Sequence, residues 1–239
     1  MNKIILKKPN IISLNKSYMC FDMHVHSEYS SDSNSKVTSI IKRAQELGIG
    51  IAITDHNDIS GSVKLWKDNR DLKDFIIIPG MEVSSSEGHI LALGIKETIP
   101  RDLTPRETIQ RIENLGGVAI ASHPYRFWSG LGESTARQAG FSVIEVLNAR
   151  SLKRENTKAR RLAEELGCGM TGGSDAHTLD QVGRAVTEVD ATSLELDDVL
   201  EEIRKKRTKA SGAHRKKTST VGYVVSCVYL WLKRGMKRI

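Results

Sequence analysis

Two histidines one residue apart, His24 and His26, occur in the run Phe21-Asp22-Met23-His24-Val25-His26, and a polar turn carrying Asp32 follows. Residues two apart on a β-strand face the same way, so Asp22, His24 and His26 are expected to share a face and set two imidazoles side by side. Such a pair suits a divalent cation. Alone, a His-x-His is as often a surface or hydrogen-bonded pair, and repetition is what gives this one weight. Thr54-Asp55-His56-Asn57, Gly80-Met81-Glu82, Gly88-His89, Ser122-His123-Pro124 and Gly173-Ser174-Asp175-Ala176-His177 each put an imidazole, a carboxylate or both beside an apolar run. Six of the seven histidines fall in these motifs, and only His214 lies elsewhere. Mixed imidazole and carboxylate donors without thiolate suit Zn, Mn or Fe and disfavour a structural cysteine-type zinc site. His24, His26, Asp32, His56, Glu82, His89, His123, Asp175 and His177 are too many ligands for one ion, so two or three divalent metal ions are expected.

The elements that must position these residues alternate. Val37–Leu47 has apolar residues at helical spacing with Gly48 as a stop. Ile49–Ile53, Phe75–Ile78, Val118–Ala121 and Phe141–Leu147 read as buried strands, as does His89–Gly94. Thr104–Leu115 reads as a helix capped by Thr104, with Pro105 in its first turn and Gly116-Gly117 at its end. Arg150–Leu166 is a long charged helix stopped by Gly167, ahead of Cys168–Thr171. Strand-helix alternation predicts a parallel α/β architecture. The motifs follow the apolar runs, which places them together at the C-terminal ends of the strands, where barrel enzymes carry their sites. His89 heads its run, and is expected on a loop reaching over the same mouth.

Length and charge bound the rest. The 239 residues, 39% hydrophobic and 27% charged, suffice for one large domain, and no run is long and apolar enough to cross a bilayer. No signal peptide is evident at Met1–Asn10. The cysteines, Cys20, Cys168 and Cys227, are odd in number and far apart. A reduced, cytoplasmic protein with no disulfide partner is expected. The net charge of +7 belongs to one end: from Ile203 to Ile239 there are 12 Lys and Arg and no acid, leaving 24 basic against 29 acidic residues in the body, a net of −5.

In order, His24-Val-His26, Thr54-Asp-His56-Asn, Gly80-Met-Glu82, Gly88-His89, Ser122-His123-Pro124 and Gly173-Ser-Asp175-Ala-His177 resemble the successive motifs of the PHP (polymerase and histidinol phosphatase) family, with spacing closest to its small TrpH-like members. The match runs from Phe21 to Arg184. The resemblance implies a distorted (β/α)7 TIM-like barrel holding a trinuclear site, and metal-dependent hydrolysis of phosphate esters. It implies His24, His26, Glu82 and Asp175 around one ion, Glu82 bridging to a second held by His89 and His123, and Asp32, His56 and His177 around a third. Glu82, Asp175 and His177 are thereby also expected to be catalytic. Asp55 and His56 are adjacent and cannot both point inward from a strand, so His56 is taken as ligand, and Asp22 and Asp55 as residues that orient ligands or cap loops. Arg126, Arg150 and Arg184 follow motifs and are candidate phosphate clamps, with Asn148 a further candidate for substrate contact. Only 33 residues separate His89 from His123, too few for the insertion of nucleotide-hydrolysing relatives. The site should therefore be open, and its substrate a nucleotide, an oligonucleotide end or a small metabolite phosphate.

Three segments are expected: an N-terminal extension over 1–17, the barrel over 18–202, and a basic tail over 203–239. In the tail Val221, Val224, Val225, Val228 and Leu232 fall on one face of an amphipathic helix. That helix either docks on the barrel or touches nucleic acid or an anionic membrane surface. Alternatives to a phosphoesterase are a metal-stabilised binding module targeted by this tail, a histidinol-phosphatase-like activity, and amide hydrolysis in an amidohydrolase-type barrel.

Overall fold

Buried apolar strands separated by amphipathic helices leave the chain one economical arrangement, a sheet whose faces are both covered. The computed structural model describes residues 18–69, 72, 75–191, 193, 195–215, 228, 229 and 232. In chain order it has β1 (Met19–Val25), α1 (Val37–Leu47), β2 (Gly50–Ile53), α2 (Ser60–Asn69), β3 (Ile77–Ser84), β4 (His89–Leu93), α3 (Pro105–Asn114), β5 (Val118–Ala121), α4 (Gly132–Gln138), β6 (Val143–Asn148), α5 (Lys153–Leu166), β7 (Gly169–Gly173), β8 (Ala185–Val189), α6 (Leu196–Arg204) and β9 (Thr208–Gly212). The helix signals act as expected. Gly48 and Gly167 end α1 and α5 in the left-handed region, and Thr104 caps α3 in a reciprocal box with Glu107.

The nine strands form one sheet in the order β7-β6-β5-β4-β3-β2-β1-β8-β9. It curls until its ends meet. Thr208 Oγ1 donates to the Met170 carbonyl at 2.8 Å, Gly172 N–H to Thr187 Oγ1 at 2.8 Å, and His26 N–H to the Ala176 carbonyl at 2.9 Å. The result is the distorted TIM-like barrel that the motifs implied.

The sheet departs from the expected all-parallel order. β1, β2 and β3 are mutually parallel, as are β5, β6 and β7, but β4 runs antiparallel to both its neighbours, and β8 and β9 are antiparallel. The reason is the short link between Ser84 and His89, which admits a hairpin and not a helical crossover. Reversal of β4 brings its first residue, His89, level with the C-terminal ends of the other strands. His89 thus reaches the mouth from the head of a strand, and needs no overarching loop. β9 also falls beyond residue 202, so the sheet takes in Thr208–Gly212 of the basic segment. The 1–17 extension lies outside the described residues, as does the amphipathic stretch from Val221, apart from Val228, Tyr229 and Leu232.

Inside the barrel, Phe21, Met23, Ala52, Ile78, Leu91, Leu93, Ile120 and Val143 from six strands form one buried cluster. Val199, Leu200 and Ile203 of α6 complete it from the end opposite the motifs. A second cluster packs α3 and α5 on β3–β6, and a third packs α1 on β1 and β2.

Candidate metal centre

The first strand delivers its histidines through a broken register. Strict alternation would put Phe21, Met23 and Val25 on one face, yet Phe21 and Met23 lie in the inner cluster and Val25 packs outside with Ile40 and Ala44 of α1. The pairing of β1 with β2 slips between Asp22 and Val25, and this irregularity turns the strand end so that His24 and His26 share a pocket. Their Nε2 atoms are 3.1 Å apart. Asp22 is left behind. It accepts backbone N–H bonds from Ser174 and Gly183 at 2.8 Å each, and from His24 at 3.3 Å. Asp55 likewise accepts from Ser27 N–H and Oγ at 2.6 Å each. Among the described residues neither carboxylate bonds an imidazole ring; both pin loops. Burial nonetheless pushes the Asp22 carboxyl up to about 6 against the donors that favour its charge.

Glu82, buried within β3, is the hub of the pocket. One oxygen lies 3.4 Å from His24 Nε2, 3.4 Å from His26 Nε2 and 3.2 Å from His56 Nδ1. The other lies 3.2 Å from His89 Nδ1 and 3.0 Å from His123 Nε2, and accepts from Ser122 Oγ at 2.9 Å. Asp175 faces His26 at 3.5 Å, His177 at 3.4 Å and His24 at 3.9 Å, and Asp32 faces His177 at 2.9 Å and His56 at 3.6 Å. All nine residues expected as ligands are therefore brought together.

Four sets offer ligand atoms within 4.8 Å of one another: His26, Asp32, His56 and His177; His24, His26 and Glu82; His24, His123 and Asp175; and His56, Glu82 and His89. The grouping differs in detail from the sets implied by the motifs. His26 joins Asp32, His56 and His177, and His56 joins Glu82 and His89, whereas Asp175 is grouped with His24 and His123.

These donors fit a metal. Asp32 Oδ1 and His123 Nδ1 are buried without hydrogen-bond partners, and the Nδ1 atoms of His56 and His89, though 3.2 Å from Glu82, make no aligned hydrogen bond to it, a costly state for four atoms in one pocket unless a cation uses their lone pairs. The protonation pattern agrees. Burial lowers His56, takes His123 down to about 4 with Arg126 beside it, and takes His177 down to about 3 with Arg150 beside it, so these rings are neutral near pH 7. Burial opposes charge on Glu82 and Asp175 too, but the surrounding imidazoles and arginines hold both well below the usual carboxylate range. His24 and His26 go the other way: burial resists their charge, yet Glu82 and Asp175 lift His26 to about 9 and, with Glu145, lift His24 well above its ordinary value. A proton there is what a metal would displace.

Residues outside the motifs complete the pocket. Glu145, buried in β6, accepts from His24 Nδ1 at 3.0 Å with one oxygen and from the His123 N–H at 2.8 Å with the other, so it orients two rings. Ser30 Oγ sits 3.1 Å from His26 Nδ1. The signal for Glu145 was a lone carboxylate in the apolar run Val143-Ile144-Glu145-Val146-Leu147. Gly173 makes room for it: a Cβ there would collide with His24 and crowd Glu145. Backbone strain also gathers here. Of five non-glycine residues with positive φ among those described, three are Asn57 (54°), His123 (29°) and Asp175 (53°), within or beside the ligand motifs.

Arg126 and Arg150 reach the rim, with guanidinium nitrogens 2.7 Å and 3.1 Å from Asp175. Asn148 joins them, accepting from Arg126 at 2.6 Å and donating to Asp175 at 3.2 Å. Arg184 does not come to the site. Its guanidinium pairs with Asp180 at 2.5 Å on the surface, since the chain turns away through Gly183 before β8.

Residues 22–166 match the family model of the PHP domain, and residues 153–208 match that of the PHP-associated segment. The chain belongs to the PHP domain family. An uncharacterized protein of Methanocaldococcus jannaschii is 32% identical to it over 190 residues, covering 76% of this chain and 75% of the relative. Another from the same organism is 40% identical over 115 residues, covering 44% of this chain and 67% of the relative. Among solved structures, a two-domain protein of Bacteroides vulgatus, containing a predicted PHP-like metal-dependent phosphoesterase, aligns at TM-score 0.69 with 20% identity over 85% of this chain and 68% of its own. PsfC of Pseudomonas syringae aligns at 0.62 with 21% identity over 89% and 98%. The lesion-specific endonuclease EndoQ of Pyrococcus furiosus aligns at 0.62 with 16% identity over 81% and 57%. These similarities are of fold. Among the described residues no helix is long and apolar enough to cross a membrane.

Proposed function

We propose that this PHP protein is a metal-dependent phosphoesterase that hydrolyses the phosphate ester of a nucleotide, an oligonucleotide end or a small metabolite. The observation that carries the reading is Glu82, one buried carboxylate within 3.4 Å of five imidazoles, in a pocket where Asp32 Oδ1 and His123 Nδ1 are also buried without a hydrogen-bond partner. His24, His26, Asp32, His56, Glu82, His89, His123, Asp175 and His177 would hold two or three divalent ions, of which Mn, Zn and Fe suit the donor set. When bound, such ions supply a Lewis acid for the phosphoryl oxygens and an acidified water as nucleophile. The Bacteroides neighbour, which contains a predicted PHP-like metal-dependent phosphoesterase, and the Pyrococcus neighbour, a lesion-specific endonuclease, support a phosphate ester as substrate.

The chain's own residues have distinct tasks. Neutral His56, His123 and His177 present lone pairs near pH 7 and are poor proton donors. Ionised Glu82 and Asp175 balance charge. The partly exposed Arg126 and Arg150, with the buried Asn148 behind them, give a polar wall beside Asp175 suited to the non-reacting phosphoryl oxygens. Glu145 fixes the tautomer of His24 by accepting a hydrogen bond from its Nδ1–H, which frees Nε2.

The test couples metal counting with phosphate release. Protein purified without chelator should carry two or three ions per chain and release phosphate from a panel of monoesters and oligonucleotide ends. Both properties should collapse in His24→Ala and Asp175→Ala. Metal without hydrolysis would replace this reading with that of a binding module; no metal after Mn or Zn reconstitution would refute both.

A further inference from the structure

Phe127 and Trp128 are 83% and 74% exposed, the most exposed large apolar side chains described, in a protein with only 5% aromatic residues. Two adjacent rings held in water are costly, and their position explains why they are there. On one side stands Arg126, whose guanidinium lies 2.7 Å from Asp175. On the other stands Ser129, whose carbonyl accepts the N–H of the candidate ligand His89 at 3.0 Å. The pair is therefore tethered at both flanks to residues of the metal centre.

The loop that carries them is stiff. Arg126 N–H donates to His123 O, Gly130 N–H to Arg126 O and Gly132 N–H to Pro124 O, each at 2.9 Å. Gly130 is so closely packed that a Cβ would lie 2.6 Å from the carbonyl oxygens of Pro124 and Arg126. The rings meet edge to face, with centroids 4.9 Å apart and planes at 84°, an arrangement that leaves flat surfaces open to solvent.

We infer that Phe127 and Trp128 are a stacking platform for a nucleobase of the substrate, seated beside the phosphate rim of Arg126, Arg150 and Asn148. The inference rests on the phosphoesterase reading and narrows it, from phosphate esters in general to those bearing a base. Stacking suits a planar heterocycle of any sequence, because every base has a π-face. The two guanidinium groups of Arg126 and Arg150 around the one carboxylate of Asp175, and the rings that follow Arg126 in the chain, match the two parts of a nucleotide, anionic at one end and flat at the other.

The experiment compares adenosine 5′-monophosphate with ribose 5-phosphate, the same ester without its base, on the full metal-reconstituted chain. The expected result is a kcat/KM at least about tenfold higher for the nucleotide. Phe127→Ala and Trp128→Ala should each lower that value about 10-fold, mostly through KM, and leave ribose 5-phosphate unchanged. Trp128→Phe should retain most of the preference. Equal rates on the two esters, or equal losses on both in the alanine variants, would overturn the platform and leave the phosphoesterase intact. Calorimetric titration with the same two ligands separates the other case. Nucleotide binding weakened by the alanine variants, in a protein that releases phosphate from no member of the monoester and oligonucleotide panel, would uphold the platform and remove the phosphoesterase.

Discussion

At one end of the barrel, Phe21, Met23, Leu93 and Val143 close around Leu200 and Ile203 of α6, with hardly a polar atom among them. At the other end β1, β3 and β6 present His24, Glu82 and Glu145, with His26, His123 and Asp175 just beyond them, nearly all shielded from solvent. The first end gains free energy by removing apolar surface from water. The second spends some of it on buried charge, unpartnered nitrogen atoms and left-handed backbone. Gly94 shows how tight the apolar end is, since a Cβ there would collide with Leu200. The contrast teaches that stability and chemistry are divided along the barrel axis. A perturbation at one end should therefore leave the other's readout almost untouched.

The largest effect expected at the polar end is on activity. Glu82→Gln keeps the size of the hub and removes its charge, and should lower kcat/KM on the order of 10^3-fold with loss of bound metal. In metal-free protein the same substitution should lower the melting temperature by a few degrees and leave the fold intact, because it relieves a buried ionised group but takes one carboxylate from the protonated His24 and His26. A metal-free Glu82→Gln protein that fails to fold would break the proposed division. At the apolar end the reverse is expected. Leu200→Ala should cost about 3 kcal/mol of stability, read from denaturant midpoints, with metal content per folded chain unchanged.

The sequence revealed the polar end far better than its architecture. Ligand types, their positions beside apolar runs, and the caps of α1, α3 and α5 are local features, written in a few adjacent residues. Three things were hidden because they depend on strand pairing and register, which no single motif carries. The reversal of β4 follows from a hairpin whose register only the folded sheet defines. The slip in β1 separates Asp22 from the histidines, although simple alternation unites them. Glu145 faces His24 across 121 residues of chain, and its motif is a single letter. Arg184 was misjudged for a related reason. Nearness in sequence to Asp175 and His177 does not survive the turn at Gly183, and Asp180 offers a closer partner.

Acidity offers a third way to sharpen the contrast. Burial works against charge on His26, and Asp175 and Glu82 override it, holding the ring at about 9 in the absence of metal against an ordinary 6.5. Because the folded value is the higher one, the stability this proton confers is complete below pH 6.5 and is lost as pH rises through 9. The difference sets an upper bound of about 3 kcal/mol. Metal-free protein should thus lose thermal stability across that window, whereas metal-loaded protein, in which the ion has replaced the proton, should stay nearly level. Leu200→Ala should shift both curves down without altering their slopes. A metal-free protein with no slope would show that the carboxylates do not govern His26.

The finest test falls on Glu145, which lies within the barrel interior but belongs by its contacts to the polar end. Its two oxygens serve different partners, the His24 ring and the His123 backbone, and the second also takes a bond from Asn148 at 3.0 Å. Glu145→Gln preserves its volume. It also places an amide donor where either the His24 Nδ1–H or the His123 N–H needs an acceptor, so one of the two bonds must be lost. If the His24 tautomer is what Glu145 controls, metal affinity should fall about 10–100-fold and the metal-free melting temperature should move little. If Glu145 chiefly braces the strained turn at His123, the loss should appear in stability with and without metal. The first outcome would place the boundary between the two ends inside β6, below Glu145. The second would move that boundary up to the turn, and make the backbone of His123 part of the framework and not part of the site.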